Sequence, residues 1–138
     1  MVIDLDRRNP IVRVNRGLVY LARKDSEKAI ADFSDAIRID PYHAAVYELR
    51  GCVYGGLGEY DKAIADFTEV IRIKPDHAKA HFNRATAYEE LGDADKAAAD
   101  FAKAKKLGYE PEEEKPLTSS ARPSLRSQAD RPRPPAAR

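Results

Sequence analysis

The chain has 138 residues, a length typical of one domain, and 43% of them are hydrophobic and 34% charged. Its net charge of +1 gives no overall electrostatic signal for nucleic acid or an anionic membrane. The single cysteine, Cys52, excludes an internal disulfide, and the opening MVIDLDRRNP, with acids inside its apolar run, is unlike a secretory signal peptide. Since no stretch of about 18 apolar residues occurs, we expect a cytoplasmic protein without a membrane span.

The first nine residues have the pattern of the last turns of a helix. Val2, Ile3 and Leu5 stand 34 residues ahead of apolar residues in a longer pattern that then repeats. We therefore expect residues 1–9 to form a partial repeat, a helical stub. The segment after it is unusually apolar, through Ile11, Val12, Val14, Leu18, Val19 and Leu21. We expect this amino-terminal face to be only partly covered, and to dock on a partner, a second copy or further repeats.

The central part of the chain contains three copies of one sequence repeat. EKAIADF at 27–33 returns as DKAIADF at 61–67 and DKAAADF at 95–101, a spacing of 34 residues. Frames of this length begin at Pro10, Ala44 and Ala78, and position numbers below count from those residues. The small, aromatic and alanine positions that recur are Gly17, Gly51 and Ala85 (position 8), Tyr20, Tyr54 and Tyr88 (position 11), Ala29, Ala63 and Ala97 (position 20), and Phe33, Phe67 and Phe101 (position 24).

Each frame divides into two helices. In YDKAIADFTEVIRIKP the apolar residues recur at three-and-four spacing, which is typical of an amphipathic helix. Acids such as Asp25 and Asp93 stand where they would cap its amino end, and Gly58 and Gly92 stand where the preceding helix needs a left-handed turn. Pro41 and Pro75 end the pattern. The small residue at position 8 is expected to let the two helices approach, with the alanine of position 20 opposite.

These residues and offsets resemble the tetratricopeptide repeat. The middle frame matches best, through Tyr47, Gly51, Tyr54, Ala63, Phe67 and Pro75. The frames depart from the pattern at Arg13 and His81, where a large aromatic is usual, at Ala85 and at Tyr109. The resemblance implies an all-α fold, an α-solenoid of three helix-turn-helix repeats at 10–43, 44–77 and 78–111, over most of the chain.

The third copy departs from the others where the next repeat would pack. Positions 21 and 28 are Ile30 and Ile37, then Ile64 and Ile71, then Ala98 and Lys105. A polar residue on this face would end a solenoid without exposing an apolar patch. We therefore expect the array to stop at the third repeat. Residues 112–138, rich in proline and arginine and poor in apolar residues, are predicted to be a disordered tail.

Arginine at position 7 (Arg16, Arg50, Arg84) and aspartate at position 23 (Asp32, Asp66, Asp100) also recur. They should lie at similar heights in an antiparallel hairpin, and we predict that they pair. The alternative is an arginine row that reads an anionic ligand. The spacings Lys28–Asp32, Lys62–Asp66 and Lys96–Asp100 predict ordinary surface ion pairs.

No catalytic, cofactor or metal site is predicted. His43 and His77 share position 34, which explains them as turn residues, and a helix start between His77 and His81 argues against a paired metal site. Cys52 has no neighbouring histidine or basic cluster in the sequence, so we expect a partly buried thiol without a nucleophilic role. The glycines of YGGLGEY serve a hairpin turn.

The family resemblance implies a curved scaffold that holds a peptide or protein segment on its concave face. The positions that line this face in the family correspond here to Ile11, Val14, Asn15, Leu18, Leu21, Ala45, Glu48, Leu49, Cys52, Lys79, Phe82, Asn83, Thr86, Glu89 and Glu90. The groove is expected to run from apolar to small to polar, and Asn15 and Asn83 to bond the ligand backbone. A clamp for a carboxy-terminal carboxylate is not expected, because only Lys79 matches where that subfamily has its lysines, asparagines and arginine.

Three functions follow in order of preference. The first is a non-enzymatic scaffold for a protein or peptide partner. The second is self-assembly into a homo-oligomer through the apolar amino-terminal face. The third is binding of an anion or nucleic acid by the arginine-rich tail, which lacks interleaved aromatics and makes nucleic acid an unfavoured partner.

Overall fold

The computed structural model describes residues 9–110, which form six α-helices paired as three hairpins. In chain order the helices are α1 (Pro10–Ala22), α2 (Ser26–Ile39), α3 (Ala44–Gly56), α4 (Tyr60–Ile73), α5 (Ala78–Glu90) and α6 (Ala94–Lys106). The predicted all-α fold of helix-turn-helix repeats is confirmed. The predicted stub, apart from Asn9, and the predicted tail lie outside the described residues.

The hairpins stack in one direction. Each of α1, α3 and α5 packs most extensively on the helix that follows it, and α2 and α4 also pack on the first helix of the next hairpin. The most extensive contacts therefore join consecutive helices, as in a solenoid.

The helix ends follow the local sequence signals. The side chains of Asp25 and Asp93 accept hydrogen bonds from the amides of Lys28 and Lys96, both at 3.3 Å, as predicted. Asn9 caps α1 in the same way, through the amide of Ile11 at 2.9 Å. The caps satisfy amides that have no partner within the helix.

The turns inside the hairpins need a left-handed residue. Gly58 and Gly92 have φ of +82° and +87°, which confirms their predicted role. Lys24 fills the same position of the first hairpin with φ of +62°. The prolines do follow the ends of α2 and α4, which stop two residues before Pro41 and Pro75.

The close approach within a hairpin differs from the prediction in one respect. A Cβ added to Gly17 would lie 2.7 Å from Phe33 Cε1, and one added to Gly51 would lie 2.8 Å from Phe67 Cε1. The group opposite the glycine is thus the ring of position 24, and the alanine of position 20 was the wrong partner. The alanine instead faces the first helix one turn further along, since a Cβ added to Gly55 would lie 4.0 Å from Ala63 Cβ.

The core continues across the hairpin boundaries. Ala29, Phe33 and Ala36 of α2 form one buried cluster with Val46 and Val53 of α3. Ile30 and Ile37 pack against that cluster, and Ile71 packs against a second one that contains Ala80 of α5. These isoleucines meet the following repeat, as predicted.

Candidate peptide-binding face

The first helices of the three hairpins, α1, α3 and α5, line one face, and all the predicted groove residues belong to them. Two cavities open there. The first lies between α1 and α3, has a volume of about 340 Å³, and is lined by apolar side chains that include Leu21, Leu49, Val53 and Leu57. It offers a place for an apolar anchor.

The second cavity lies between α3 and α5, with α4 contributing to its wall, and has a volume of about 410 Å³. Its lining combines three aromatic side chains with three polar ones: Tyr60, Phe67, Phe82, Asn83, Thr86 and Glu90. Cys52 lines both cavities. The two cavities are therefore neighbours on one continuous surface.

The cavities bring together only part of the predicted set. The predicted residues that line them are Leu21, Leu49, Cys52, Phe82, Asn83, Thr86 and Glu90. The predicted residues that line neither are Ile11, Val14, Asn15, Leu18, Ala45, Glu48, Lys79 and Glu89. Among the latter, Ile11 and Leu18 are exposed on α1, whereas Val14 packs against the first core cluster.

Sequence reasoning missed the part of the lining that comes from the second helices and the turns. Tyr60 and Phe67 of α4, Ser26 of α2 and Leu57 after α3 all reach the cavities. Tyr60 and Phe67 are seven residues apart, which had marked them only as core positions. A signal for Leu57 existed, since an apolar residue inside a glycine-rich turn has no core to fill.

An acidic side chain of the second repeat contacts two basic side chains on this face, one from the end of its own repeat and one from the third. Glu48 Oε1 lies 3.0 Å from His77 Nε2, and Glu48 Oε2 lies 4.0 Å from Lys79 Nζ. His77 was predicted only as a turn residue, so its contact with Glu48 is a feature that the repeat pattern did not indicate. The cluster places a carboxylate between two basic side chains, next to Cys52 in the groove.

Cys52 was predicted to be a partly buried thiol, and it is more exposed than that prediction implied although part of it lies against the groove wall. Its side chain is exposed, because position 9 faces the open groove and not the paired helix. Partial burial against the groove wall raises the pKa of the thiol, the negative Glu48 raises it further, and Lys79 lowers it. The thiol is therefore reachable but largely neutral.

Asn83 has an unsatisfied donor in the second cavity. Its Nδ2 atom is buried and has no hydrogen-bond partner within residues 9–110. A buried amide donor usually has a partner, since leaving it unpaired costs about 1–3 kcal/mol. A ligand carbonyl at the wall of this cavity would satisfy the requirement.

The predicted arginine–aspartate pairs are present within each repeat. Arg16 Nη2, Arg50 Nη2 and Arg84 Nη2 donate to Asp32, Asp66 and Asp100 at 2.7, 2.7 and 2.9 Å, and each Nε donates to the other carboxylate oxygen. These bidentate bonds raise the pKa of Arg50 and of Arg84. Their donors are used inside the protein, which argues against an arginine row for an anionic ligand.

The predicted lysine–aspartate pairs are wrong. Lys28, Lys62 and Lys96 pair instead with Asp25, Glu59 and Asp93, three residues earlier, at 3.8, 3.1 and 3.9 Å. The aspartates four residues later are buried and turned toward the arginines. Each lysine Nζ also lies 5.6 Å from the ring centroid of Tyr20, Tyr54 or Tyr88, which fixes its direction.

Residues 9–110 hold no group of three histidine, cysteine, aspartate or glutamate side chains arranged to bind a metal ion. The helix α5 does begin between His77 and His81, as predicted, and His81 is buried with Nε2 at 3.0 Å from the carbonyl oxygen of Pro75. Within the same range, no helix has the length and apolar character needed to cross a membrane.

Comparisons with known proteins agree with the fold. Two sequence profiles described as tetratricopeptide repeat match residues 12–43 and residues 49–110. A comparison with curated protein sequences found no match.

Solved structures are similar over most of the chain. The crystal structure of MamA protein is 29% identical with a TM-score of 0.72; the match covers 87% of this chain and 63% of MamA, so this chain spans less than two thirds of that protein. The Arabidopsis OM64 tetratricopeptide repeat domain is 28% identical, with a TM-score of 0.71 and coverage of 78% of this chain and 88% of that one. The second such domain of Spaghetti (RPAP3), bound to the HSP90 peptide SRMEEVD, is 25% identical, with a TM-score of 0.69 and coverage of 78% and 99%.

The profiles, the similar structures and the three hairpins with their recurring glycine, tyrosine, alanine and phenylalanine agree. The chain belongs to the tetratricopeptide repeat family.

Proposed function

We propose that this protein is an interaction scaffold that binds a segment of another protein along the face of α1, α3 and α5. Membership of the family supports a non-enzymatic interaction role in general. The similar domain of RPAP3, bound to a peptide, supports a peptide as the kind of ligand that such a face takes.

The observation that carries the proposal is the pair of adjoining cavities that share Cys52. The first is apolar, whereas the second adds an unpaired donor on Asn83 and the carboxylate of Glu90 to its aromatic wall. A ligand that fits both cavities has an aliphatic side chain near Leu57. It then presents a backbone carbonyl to Asn83 and a basic or neutral group to Glu90.

The ligand differs from a carboxy-terminal carboxylate. The second cavity has a carboxylate at its rim, and Lys79 of the predicted set is held near Glu48. A free carboxylate would meet repulsion at Glu90. An internal segment of the partner suits the charges better.

The test is selection of peptides from a random display library on the full chain, followed by titration of a selected peptide. The doubly substituted Leu57→Ser, Glu90→Lys chain should lose at least about tenfold in affinity, because it removes an apolar contact and reverses a charge.

The matched control is the Leu91→Ser, Glu89→Lys chain. Leu91 is 48% exposed against 47% for Leu57, and Glu89 is the neighbour of Glu90, but neither control residue lines either of the two cavities described above. Equal affinity for both doubly substituted chains would place the binding surface elsewhere and would reject the proposal.

A further inference from the structure

In the second and third hairpins, the first helix packs on the second helix of the preceding hairpin through apolar side chains. We call the first helix the receiving helix and the second helix of the preceding hairpin the incoming helix. Val46 and Val53 of α3 are only 1% and 7% exposed, in a cluster against which Ile30 and Ile37 of α2 pack. The same positions of α5 are Ala80 and Ala87, and both are buried. Positions 3 and 10 are thus the receiving positions of the repeat.

Two polar contacts accompany the apolar one. Arg50 Nη1 donates to Ser34 Oγ of the preceding repeat at 2.9 Å, and Arg84 Nη1 donates to Thr68 Oγ1 at 3.1 Å. The receiving arginine therefore bonds a hydroxyl of the incoming helix in addition to its own aspartate. The contact recurs at both internal boundaries.

The third contact joins position 4 to the loop after the incoming helix. Tyr47 Oη donates to the carbonyl oxygen of Pro41 at 3.0 Å, and His81 Nε2 lies 3.0 Å from the carbonyl oxygen of Pro75. Tyrosine and histidine thus use the same carbonyl, one repeat apart.

Helix α1 has valines at positions 3 and 10 and arginines at positions 4 and 7, without these contacts in residues 9–110. Val12 and Val19, at positions 3 and 10, are 37% and 49% exposed. The side chain of Arg16 is 54% exposed, against 20% for both Arg50 and Arg84. The Nε atom of Arg13, at position 4, is buried without a hydrogen-bond partner.

The incoming helices share a pattern. Helices α2 and α4, with the loops after them, present four groups at fixed spacing. They are an isoleucine, a hydroxyl four residues later, a second isoleucine three residues after that, and a backbone carbonyl four residues further on. The residues are Ile30, Ser34, Ile37 and Pro41 in the first case and Ile64, Thr68, Ile71 and Pro75 in the second. In α6 the first three places are Ala98, Ala102 and Lys105. The end helix of a second copy therefore lacks the groups that α1 would receive.

We propose that α1 is a receiving surface for a helix of another protein that carries this pattern of isoleucine, hydroxyl, isoleucine and carbonyl. Val12 and Val19 would pack on the two isoleucines, Arg16 would bond the hydroxyl and Arg13 the carbonyl. Within residues 1–8, Ile3 and Arg7 stand at the register of the last two places. A partner helix that carries all four groups is the occupant that satisfies the whole surface.

The test is an NMR titration of the labelled full chain with a synthetic peptide copying residues 26–41. The peptide carries an Ala31→Lys substitution, and a lactam joins that lysine to Glu27. Both positions are exposed in α2, and the lactam holds the peptide as a helix before it binds. The expected result is saturable shifts in residues 12–19 and none around Cys52. The control peptide copies residues 94–109 with a lactam between Asp95 and Ala99→Lys, also exposed positions, and should cause no saturable shift.

A Val19→Lys substitution should weaken binding of the first peptide by at least about tenfold, because it buries a charge against isoleucine. Leu91→Lys, an equally exposed apolar residue outside α1, should leave it unchanged. Four results would overturn the proposal. They are no saturable shift with the first peptide, equal shifts with both peptides, contacts of Ile3 with Val12 that the peptide does not displace, and contacts at Val19 between labelled and unlabelled copies.

Discussion

The three arginines at position 7 have the same partner but different surroundings. Each binds its own aspartate through two nitrogen atoms, and Arg50 and Arg84 also bond a hydroxyl of the preceding repeat. Within residues 9–110, Arg16 has no such additional bond. Burial raises the pKa of the Asp66 carboxyl, while Arg50 opposes that rise. An isolated ion pair on the surface contributes little, but these carboxylates are buried.

Arg50→Met should therefore destabilise the fold by about 3 kcal/mol, since it leaves a buried carboxylate unpaired. Arg16→Met should cost about 1 kcal/mol less, because no hydroxyl bond is lost. Urea denaturation at neutral pH measures both losses. Each variant should unfold at a lower midpoint urea concentration, with an unchanged slope of unfolding free energy against urea. The cost of Arg50→Met should shrink toward pH 4, where the unpaired Asp66 takes up a proton in the folded state. A cost that grows on acidification would contradict the role given to this pair.

Cys52 allows a prediction for the groove itself. Because the pKa of its thiol is raised in the folded chain, less thiolate is present near pH 8 than in the unfolded chain. The alkylation rate of the folded protein should thus rise with pH at a higher midpoint than that of the urea-unfolded chain. Because the pKa of the thiol is higher in the folded chain, the neutral thiol stabilises the folded state fully at pH values below its pKa in the unfolded chain. This stabilisation is lost as the pH rises through its pKa in the folded chain.

Two neighbours provide opposite controls for this prediction. Glu48→Gln should lower the alkylation midpoint, and Lys79→Ala should raise it, since Glu48 raises the pKa of the thiol and Lys79 lowers it. Shifts of both variants in one direction would refute the assigned electrostatics. A peptide bound in the groove should slow alkylation in every variant.

At the scale of the helix pair, the glycine of position 8 sets how closely the two helices approach. The ring of Phe67 lies where a Cβ of Gly51 would be in conflict, at 2.8 Å from Cε1 and 3.1 Å from Cδ1. In the third hairpin Ala85 takes this position, and the ring of Phe101 is half-buried, with its centroid 5.2 Å from that of Phe82. The hairpins are thus alike in sequence but not equally tight.

Gly51→Ala should cost about 1–3 kcal/mol of unfolding free energy, as expected for overpacking in a closed core. Gly56→Ala is the matched control, because a Cβ there meets nothing within 4 Å and Gly56 ends the same helix. It should be neutral or stabilising by up to about 1 kcal/mol. Thermal unfolding followed by circular dichroism compares the two, and equal losses would show that the close approach is not what Gly51 provides.

At the scale of the molecule, the first and last helices of residues 9–110 differ on their outward faces. Helix α1 presents exposed Val12, Val19 and Arg16 and the half-buried Arg13. Helix α6 instead carries alanines and a lysine where α2 and α4 carry isoleucines and a hydroxyl. The difference gives the stack a direction and makes end-to-end association of identical copies unfavourable, since a lysine would face the valines of α1.

Restoring the missing pattern in α6 should remove that barrier. The chain with Ala98→Ile, Ala102→Ser and Lys105→Ile should associate head to tail in a concentration-dependent way, because a heterologous interface that does not close propagates. Light scattering follows the association. Adding Val19→Lys to the same chain should restore the original size, and association that persists with Val19→Lys would show that α1 is not the receiving end.

The sequence predicted the elements well because each depends on local chemistry. The 34-residue period, the glycines at the turns and the acids at the caps act within a few residues of themselves. The pairing of Arg50 with Asp66 also followed from the height of the two positions in a hairpin. The lysine pairs failed because one aspartate had two candidate partners, and only burial shows which one it meets.

What the sequence by itself determined is therefore the repeat, its helices and the direction of its apolar faces, since these follow from periodicity and the geometry of a single helix. The tertiary structure decided which side chains surround the two cavities, because the lining comes from α2 and α4 as well as from α1, α3 and α5. It also decided that Cys52 is accessible and that Val12, Val19 and Arg16 of α1 are exposed. Those properties depend on distances between helices, and no residue pattern within one helix fixes them.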